Sequence, residues 1–345
     1  MKILLGVSGG LDSSFSAFKL IGEGHEVVGA ILVMHENPDI DSAREVCDSF
    51  GIPLVVLDVR EKFENTVVRN FIDEYRVART PNPCVICNSE VKFRALYDYA
   101  MENGFDAIAT GHYASVVSLS DGKEERYAIS RSCDTGKDQT YVLWRLSQDI
   151  LSKLIFPLSN MKKSEVRELA KISGIKSAEK KESQEICFIP SNDHAAFIED
   201  RIGKCEEGNF IDETGRVIDR HKGIIRYTVG QRKGLGVALG QRAFITKIDP
   251  VTRNITLSTT DPVSTDLYVE NMVFSGMSGM KIGESAVLSV KLRYLAPPVK
   301  CSLTYLGAGR GRVALFSPVR AVTPGQSAVF YDGDRVLLGG FISLI

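Results

Sequence analysis

The sequence predicts an α/β fold in which an N-terminal doubly wound parallel sheet precedes a small β-rich middle module and a C-terminal β-barrel. In the first half, short β-branched runs alternate with stretches of helical periodicity, the pattern of a parallel sheet covered by helices. After about residue 205, short apolar runs are separated by glycines and turn dipeptides, which is typical of β structure. From this change of pattern we expect three domains, at residues 1–200, 201–268 and 269–345.

The N-terminal sheet is predicted from four apolar runs with helical patterns between them. Residues 41–50 form one such pattern, closed by Gly51. A second helix carries an apolar residue at every fourth position from Phe63 to Tyr75, and a third is expected at residues 163–173. The four candidate strands are residues 2–7, 26–32, 54–59 and 106–110.

Composition and charge narrow the class of protein. The chain has 345 residues, 44% of them hydrophobic and 25% charged, as in a folded protein with more than one core. Because the formal net charge is −1, a polyanionic partner has to be bound by local basic patches. No run approaches the ~18 apolar residues of a membrane span, and residues 1–7 are too short for a signal peptide. Seven cysteines, an odd number, indicate reduced thiols, so we expect a cytoplasmic protein with no membrane partner.

The sharpest motif follows the first strand, where residues 8–14, Ser-Gly-Gly-Leu-Asp-Ser-Ser, open the first helix. Glycines let the backbone approach an anion, serines add hydroxyl donors, and the helix N-terminus adds N–H groups and a favourable dipole. The motif is neither a Walker A loop, which needs a lysine followed by Ser or Thr, nor a Rossmann G-x-G-x-x-G. It therefore predicts a phosphate-binding loop, against the plainer interpretation of an ordinary glycine turn.

A second motif, residues 80–88, carries two cysteines behind two prolines and leads into a helix. We expect Cys87 at or near the start of that helix. There the helix dipole and the nearby cations Lys92 and Arg94 would favour the thiolate, which is the reactive form of cysteine.

A third cysteine, Cys187, lies in an apolar, strand-like run at residues 186–189, and four interpretations of the thiols stay open. A structural zinc site needs four ligands, and no second pair follows Cys84 and Cys87 at the usual spacing. A disulfide or persulfide site needs one attacking and one carrying cysteine, which Cys87 and Cys187 can supply. All three thiols can instead hold an iron–sulfur cluster with one open iron. The fourth interpretation is small buried cysteines without chemistry.

Taken together, the motifs resemble those of the tRNA-specific 2-thiouridylases, the MnmA family of the PP-loop ATP pyrophosphatases, over essentially the whole chain. Enzymes with a PP-loop cleave ATP between the α and β phosphates and leave an adenylated substrate. The resemblance implies that the N-terminal domain is a PP-loop ATP pyrophosphatase domain, adenine nucleotide α-hydrolase-like in fold. The matching segments are residues 8–13, 80–93, 110–113, 137–139, 183–189, 227–232 and 293–294.

The activity implied by the resemblance is that of a sulfurtransferase. With ATP and Mg²⁺ it would adenylate the 2-carbonyl oxygen of a wobble uridine, and persulfide sulfur would then give 2-thiouridine, AMP and pyrophosphate. Its partners would be tRNA and a sulfur donor protein, either a cysteine desulfurase or a sulfur-relay protein. Cys87 would be the nucleophile, Cys187 would carry the persulfide, and Asp12 would help to position magnesium and pyrophosphate.

The resemblance also implies two sets of binding residues. The residues implied to surround ATP are Gly6, Val7, Ser8, Gly9, Gly10, Leu11, Asp12, Ser13, Leu32 and Gly111. Those implied to contact tRNA are Asn82, Pro83, Cys84, His112, Lys137, Asp138, Gln139, Arg293, Tyr294 and Gln326. Taken without the resemblance, the second set also fits ordinary roles, such as a solvated loop charge for Lys137, barrel packing for Tyr294 and a core histidine for His112.

Two rival functions also fit the sequence. A PP-loop ligase that uses the same adenylation but accepts nitrogen would not need Cys87 or Cys187. A tRNA-binding protein without catalysis would use a basic face instead. The lysines of that face would be Lys162, Lys163, Lys171, Lys176, Lys180 and Lys181.

Overall fold

The computed structural model describes residues 1–36, 38–120, 125–179, 186–189, 193–237 and 242–343. Within them no helix combines the length and the apolar character that crossing a membrane requires. The helices are α1 (Leu11–Gly22), α2 (Ile40–Phe50), α3 (Arg60–Phe63), α4 (Arg69–Arg76), α5 (Pro83–Ile86), α6 (Phe93–Glu102), α7 (Gln148–Leu151), α8 (Lys163–Ile172) and α9 (His194–Ile202). The strands are β1 (Lys2–Gly6), β2 (Glu26–Val33), β3 (Leu54–Asp58), β4 (Ala107–Ala109), β5 (Ser115–Ser120), β6 (Glu125–Ser130), β7 (Leu154–Ile155), β8 (Gly208–Ile211), β9 (Val217–His221), β10 (Phe244–Ile248), β11 (Asn254–Ser258), β12 (Val263–Val273), β13 (Ser285–Lys291), β14 (Val299–Gly307), β15 (Arg310–Arg320), β16 (Ser327–Asp332) and β17 (Arg335–Ser343).

The N-terminal sheet is parallel, with the strand order β3-β2-β1-β4-β7. The chain winds outward from β1 to β3 and then places β4 on the other side of β1. Such sheets bind ligands at the carboxyl ends of the strands where the winding reverses. That point lies between Gly6, which ends β1, and Thr110, which follows β4. The four predicted strands agree with β1 to β4 to within one residue at each end.

The central strand β1 shows why helices cover both faces. Ile3 and Leu5 pack on one face with Leu20 of α1. Leu4 points to the opposite face and packs with Leu96 of α6. All three strand residues are fully buried, and burying a leucine side chain stabilises a fold by about 1.5–3 kcal/mol. A strand that is apolar on both faces is the signature of a doubly wound parallel sheet, so the predicted fold is confirmed for this domain.

Two helical stretches on one side of the sheet contain π-helical turns. Residues 60–76 run through α3, the π segment Glu64–Val68 and α4. Residues 83–102 run through α5, the π segment Cys87–Lys92 and α6. Because π turns are rare and concentrate at functional sites, the second segment marks the thiol region.

The apolar face predicted from Phe63 to Tyr75 is buried, as expected. It holds the segment around Cys187 in place. The ring of Phe188 meets Phe63 edge to face at a centroid distance of 5.5 Å and Phe71 at 5.4 Å. Such aromatic pairs add about 0.5–1.5 kcal/mol to the burial of their surface.

The middle module is a four-stranded sheet in the order β10-β11-β8-β9. Strands β8 and β11 are parallel, and the two outer pairs are antiparallel. Phe210, Ile245 and Ile255 form its core. This module is the small β-rich unit that the sequence predicts.

The C-terminal strands β12 to β17 form a closed six-stranded antiparallel barrel. The order is β12-β15-β14-β13-β16-β17, and pairing between β17 and β12 closes it. The six barrel strands thus have no free edge among themselves, and the β5–β6 hairpin continues the sheet from β17. The barrel interior is filled by residues such as Leu303, Val313 and Phe330. The predicted β-barrel is thus confirmed. Strand β12 begins at Val263, so a boundary between residues 268 and 269 falls inside this strand.

The barrel packs tightly against the N-terminal domain. The indole Nε1 of Trp144 donates to Ser327 Oγ at 3.0 Å, and the Tyr141 hydroxyl donates to the Ser327 carbonyl at 2.8 Å. A Cβ at Gly339 would lie 2.4 Å from the Trp144 ring, so only glycine fits there. The two domains therefore share one packed interface.

Candidate active site

The phosphate loop lies between β1 and α1 and is braced by its own serines. The Ser8 amide donates to Ser13 Oγ at 3.2 Å, and the Ser13 hydroxyl donates to the Gly10 carbonyl at 3.0 Å. Gly9 has φ +73°, and a Cβ there would lie 2.4 Å from Ser42 Cβ, so no other residue fits without strain. Gly10 is the N-cap of α1, and no side chain among the described residues caps it. The loop thus presents the start of a helix, which favours an anion.

A cavity of about 420 Å³ opens at the carboxyl ends of β1, β2 and β4, within the range of small-ligand pockets. Most of the residues implied to surround ATP line it. Gly9, Gly10 and Leu11, all described, are not part of its wall, and Leu11 packs instead in a core cluster. Those that line it are Gly6, Val7, Ser8, Asp12, Ser13, Leu32 and Gly111.

The same wall contains residues outside that set. His112 and Gln139, which the resemblance assigns to tRNA, lie on the cavity wall. Met34, His35 and Lys92 also line it and were not predicted as cavity residues. Met34 and His35 follow directly after β2, and the carboxyl end of a neighbouring strand is the signal that could have identified them.

Asp12 has a partner that the sequence does not reveal. Lys163 Nζ, at the start of α8, contacts both carboxylate oxygens of Asp12 at 2.6 Å, and the Tyr113 hydroxyl donates to one of them at 3.0 Å. Lys163 is buried. It therefore cannot belong to the exposed basic face of the rival RNA-binding interpretation, in which the lysine run was expected to contact solvent. The carboxylate is held in place beside the phosphate loop with its charge balanced.

Three cysteines gather next to the cavity, and we call Cys84, Cys87 and Cys187 the thiol cluster. Cys87 is buried, whereas Cys84 and Cys187 are exposed. Cys87 Sγ lies 3.8 Å from Sδ of Met34, which itself lines the cavity. One side chain thus separates the buried thiol from the nucleotide-sized space.

Electrostatics show that the thiols lie close together. The pKa of Cys87 is raised to about 11, first by burial and also by the neighbouring thiols, while the Lys92 ammonium lowers it. Cys84 and Cys187 are accessible at the surface, but the surrounding protein still displaces part of the water around each thiol and so raises its pKa, while Lys92 again acts to lower both. In the resting protein the thiol cluster is therefore protonated at neutral pH.

Cys87 lies near the start of its helix, since Asn82 is the N-cap of α5 and Cys87 follows about one turn later. Two other expectations about the thiols are wrong. The Cys87 thiolate is not favoured, since burial outweighs the effect of Lys92, and Arg94 is turned toward Asp149. Nor do residues 186–189 form a strand: they make a turn in which the Ile189 amide donates to the Ile186 carbonyl at 3.0 Å. The preceding residues 183–185 of that motif lie outside the described part of the chain.

Three of the residues implied to contact tRNA lie inward. Burial lowers the pKa of His112 to about 3, so this histidine is neutral, and its Nδ1 lies 2.9 Å from Thr110 Oγ1. Gln139 Oε1 accepts from the Tyr113 amide at 2.8 Å. Asp138 is buried, with Lys291 Nζ 3.7 Å away. Lys137, beside them, ends a short 3-10 turn at residues 135–137.

The loop before the thiol cluster is tied to both other domains through Thr80. Gln326 Nε2 of the barrel segment donates to the Thr80 carbonyl at 2.7 Å, and the Thr80 amide donates to Pro324 at 2.8 Å. The Thr80 hydroxyl lies 3.0 Å from that of Thr228 in the middle module. These bonds fix the approach to Asn82, whose Oδ1 accepts from the Cys84 amide at 3.1 Å.

Arg293 and Tyr294 lie on the connection after β13, outside the barrel interior. Arg293 Nη2 donates to Thr323 Oγ1 at 2.7 Å, and Tyr294 meets Tyr141 edge to face at a centroid distance of 6.1 Å. Both contacts join the barrel to neighbouring segments.

Metal ligands are not clustered in the part of the chain that the structure describes. No group of three or more His, Cys, Asp or Glu side chains there is arranged to hold a metal ion. The thiol cluster, all of whose members are described, does not form such a group.

Comparison with known proteins gives three domain matches in order along the chain. Residues 1–191 match the model described as the tRNA methyl transferase HUP domain. Residues 195–259 match the tRNA methyl transferase PRC-barrel domain. Residues 264–342 match the aminomethyltransferase β-barrel domain.

Full-length relatives carry a more specific name. A tRNA-specific 2-thiouridylase MnmA of Lachnoclostridium phytofermentans is 41% identical, over 99% of this chain and 99% of its own. A tRNA-specific 2-thiouridylase MnmA 1 of Clostridium botulinum is 40% identical over the same shares. A solved 4-thiouridine synthetase in complex with RNA and ATP is 20% identical, over 54% of this chain and 44% of its own, with a TM-score of 0.36. The identity and coverage of the two relatives show that the chain belongs to the tRNA-specific 2-thiouridylase family, MnmA.

Proposed function

We propose that this chain is a tRNA-uridine 2-sulfurtransferase that activates the 2-carbonyl oxygen of a wobble uridine with ATP and replaces it with sulfur. One observation carries the proposal: the phosphate loop lines a cavity whose wall also contains Lys92 and Met34, and Met34 contacts the Cys87 thiol. The names of the full-length relatives support the same activity. A ligase that accepts nitrogen would leave the thiol cluster without a role, and a tRNA-binding protein without catalysis would leave the cavity without one.

ATP is the first substrate. Its phosphates would lie on the loop at residues 8–13 and its adenine near Leu32, at the end of β2. Gly111 fits this arrangement because a Cβ there would lie 2.8 Å from the Asp12 backbone, so only glycine lets the segment after β4 approach α1. The uridine oxygen attacks the α phosphorus, the bond to the β phosphate breaks, and pyrophosphate leaves. Amides at the start of α1 stabilise the charge that develops there.

Magnesium is proposed to arrive with ATP. Mg²⁺ in such sites is held by one or two carboxylates together with substrate phosphates, and not by a cage of protein ligands. Asp12 is the carboxylate beside the phosphate loop, although Lys163 occupies both of its oxygens in this structure. When bound, the ion would neutralise phosphate charge beside Asp12.

Sulfur transfer follows adenylation. The terminal sulfur of a persulfide on Cys187 attacks C2 of the base, the C–O bond breaks, and AMP leaves with the electron pair. Cys87, protonated in the resting protein, gives its proton to water and as thiolate attacks Cys187 Sγ. The S–S bond to the base sulfur breaks, its electron pair forms the thiocarbonyl, and a Cys87–Cys187 disulfide remains. An external dithiol has to reduce this disulfide before the next turnover, which suits a reducing cytoplasm.

The tRNA and the sulfur donor have to reach different members of the thiol cluster. The base has to leave the anticodon stack to enter the cavity, as is usual when proteins act on RNA loops. Asn82, Pro83 and Cys84 are proposed to flank it. Cys187 is exposed, as a cysteine that receives sulfur from a donor protein has to be. The thiols are proposed to act without an iron–sulfur cluster.

The test is a reconstitution. Anaerobically purified protein is incubated with ATP, Mg²⁺, a persulfide source and unmodified tRNA, and thiolated nucleosides and pyrophosphate are measured by mass spectrometry and an enzyme-coupled assay. We expect 2-thiouridine and one pyrophosphate for each thiolated base. Pyrophosphate without thiolated nucleoside, under conditions in which a persulfide forms on the protein, would contradict the proposal. A visible spectrum is recorded in the same experiment. If it shows the charge-transfer bands of an iron–sulfur cluster, and activity requires that cluster, the mechanism with free thiols is wrong.

A further inference from the structure

Lys92 ends the π-helical segment whose first residue is Cys87. In π-helical turns the backbone hydrogen bonds join residues five apart, so Cys87 and Lys92 lie one turn apart on nearly the same side. In a regular α-helix of 3.6 residues per turn, five positions would place two side chains about 140° apart. The extra residue in this turn therefore brings the lysine beside the buried thiol.

The charge of Lys92 has no counter-ion among the described residues. Lys92 is half-buried, and no hydrogen bond or ion pair to it is present in that part of the chain. Arg94, only two positions further, is fully engaged: its Nη1 lies 2.9 Å from Asp149 Oδ2 and its Nη2 lies 3.1 Å from Ser147 Oγ. A partly buried cation without a partner is unfavourable, so a contribution to folding does not explain where Lys92 lies.

Lys92 lies between two places where the reaction would form an anion, the phosphate site and the thiol cluster. On one side it lines the cavity together with the phosphate loop. On the other it lowers the pKa of each member of the thiol cluster. His112, on the same wall, is kept neutral by burial and by Lys92 itself. Since the thiols are also protonated in the resting protein, the ammonium is available for an anion that the reaction supplies.

We propose that Lys92 is a further catalytic residue of the sulfur transfer: its ammonium pairs with the α phosphate of the adenylated base and stabilises the anionic sulfur of Cys87. This inference rests on the proposed function. The departing AMP and the attacking thiolate are the two anions of that half-reaction, and a fixed cation between them stabilises both. Lys92 transfers no atom and remains an ammonium throughout.

Three variants test the role of Lys92. Lys92→Met removes the charge, Lys92→Arg keeps it, and Arg94→Met is the matched loss of a cation two positions away. We expect Lys92→Met to slow 2-thiouridine formation about 100-fold, the usual effect of losing one group that stabilises developing charge. Lys92→Arg should retain activity within about tenfold, and Arg94→Met should stay close to wild type.

A second readout needs no substrate. Alkylation of Cys87 by iodoacetamide is followed against pH, and peptide mass spectrometry separates it from Cys84 and Cys187. The titratable groups that face Cys87 among the described residues are these two thiols and Lys92. At pH 8 Lys92→Met should slow alkylation of Cys87 about tenfold, whereas Arg94→Met should leave the rate unchanged.

The outcomes separate the two proposals. If the wild type makes no 2-thiouridine, the proposed function fails irrespective of Lys92. If the wild type is active and folded Lys92→Met matches it in the rate of 2-thiouridine formation and in the rate of Cys87 alkylation at pH 8, the inference about Lys92 alone is overturned. Should Lys92→Met not fold, Lys92→Gln keeps the length and polarity of the side chain and is judged by the same two readouts.

Discussion

The two walls of the cavity are built in different ways. On one side of the cavity, which we call the phosphate-loop wall, local hydrogen bonds among Ser8, Gly10 and Ser13 hold the loop, and Lys163 balances the charge of Asp12. The other side, which we call the thiol wall, consists of Met34 and Lys92 with Cys87 behind Met34. It is held by apolar and aromatic packing around Cys87, and the Lys92 ammonium has no partner among the described residues. The charges named on the phosphate-loop wall are therefore paired in the absence of substrate, whereas the Lys92 charge on the thiol wall is not.

This difference assigns a separate task to each wall. A loop whose backbone is already braced can bind the same group in every turnover without refolding. A buried, protonated thiol is unreactive until it loses its proton, and a nearby ammonium favours the resulting thiolate. We infer that the phosphate loop binds ATP, and that Cys87 on the thiol wall stays unreactive until the base is adenylated.

The largest effect is expected from the thiols themselves. Cys87→Ser and Cys187→Ser should reduce 2-thiouridine formation to background, because serine cannot carry or release persulfide sulfur, while pyrophosphate release stays measurable. Cys133→Ser, which replaces an exposed cysteine outside the cluster, is the control and should keep full activity. Both products are measured in one reaction. Full thiolation by either cluster variant would contradict the assignment of sulfur transfer to the thiol wall.

The ion pair on the phosphate-loop wall gives the next effect. Asp12→Asn or Lys163→Met leaves one charge without its partner, and since Asp12 is about a third exposed the cost should be about 2 kcal/mol of unfolding free energy. The double variant Asp12→Asn/Lys163→Met should cost less than the sum of the two. Urea unfolding measures all three. Additive losses would show that the pair does not hold this wall together.

A pair of glycine substitutions tests how rigid the phosphate loop is. Gly9→Ala forces a side chain into φ +73° and to within 2.4 Å of Ser42, so we expect a loss of about 1–2 kcal/mol and weaker ATP binding. Gly10→Ala is the matched control, since φ is −88° there and a Cβ would meet nothing closer than 3.5 Å. Thermal unfolding and nucleotide titration compare the two. Equal behaviour of both variants would mean that the loop is not constrained as described.

The smallest effect concerns pH on the thiol wall. With its pKa raised to about 11, the Cys87 thiol is protonated at neutral pH, so its alkylation should rise about tenfold per pH unit toward that value. The same shift makes a contribution to stability that is complete below about pH 9 and is lost as the pH rises through the folded pKa of about 11. Alkylation rates at pH 7, 8 and 9 measure it. A rate that is already level at pH 7 would mean that the thiolate is the resting form.

What the sequence predicts well is local. The strand, the glycine turn and the helix start of the phosphate loop all lie within the first 14 residues, and each follows from the chemistry of its neighbours. The central sheet is predictable for a related reason, since runs buried on both faces, such as Ile3 to Leu5, are apolar throughout.

What the sequence does not predict depends on packing between distant segments. Lys163 contacts Asp12 from 151 residues away, and no local pattern indicates that pairing. The raised pKa of Cys87 comes from burial under Met34 and the neighbouring helix, which outweighs the cations that its motif displays. The turn that carries Cys187 is fixed by the ring of Phe188 on Phe63, and not by a strand ladder.

Protection of Cys87 by ATP shows most directly whether one cavity serves both nucleotide and thiol. Alkylation of Cys87 and of Cys133 is followed at pH 9 with increasing ATP and Mg²⁺, and Asp12→Asn is the control. We expect ATP to slow alkylation of Cys87 in a saturable way, to leave Cys133 unaffected, and to act on the variant only at much higher concentration. Unchanged alkylation of Cys87 at ATP concentrations that saturate the phosphate loop would place nucleotide and thiol in separate sites and would contradict sulfur transfer at this cavity.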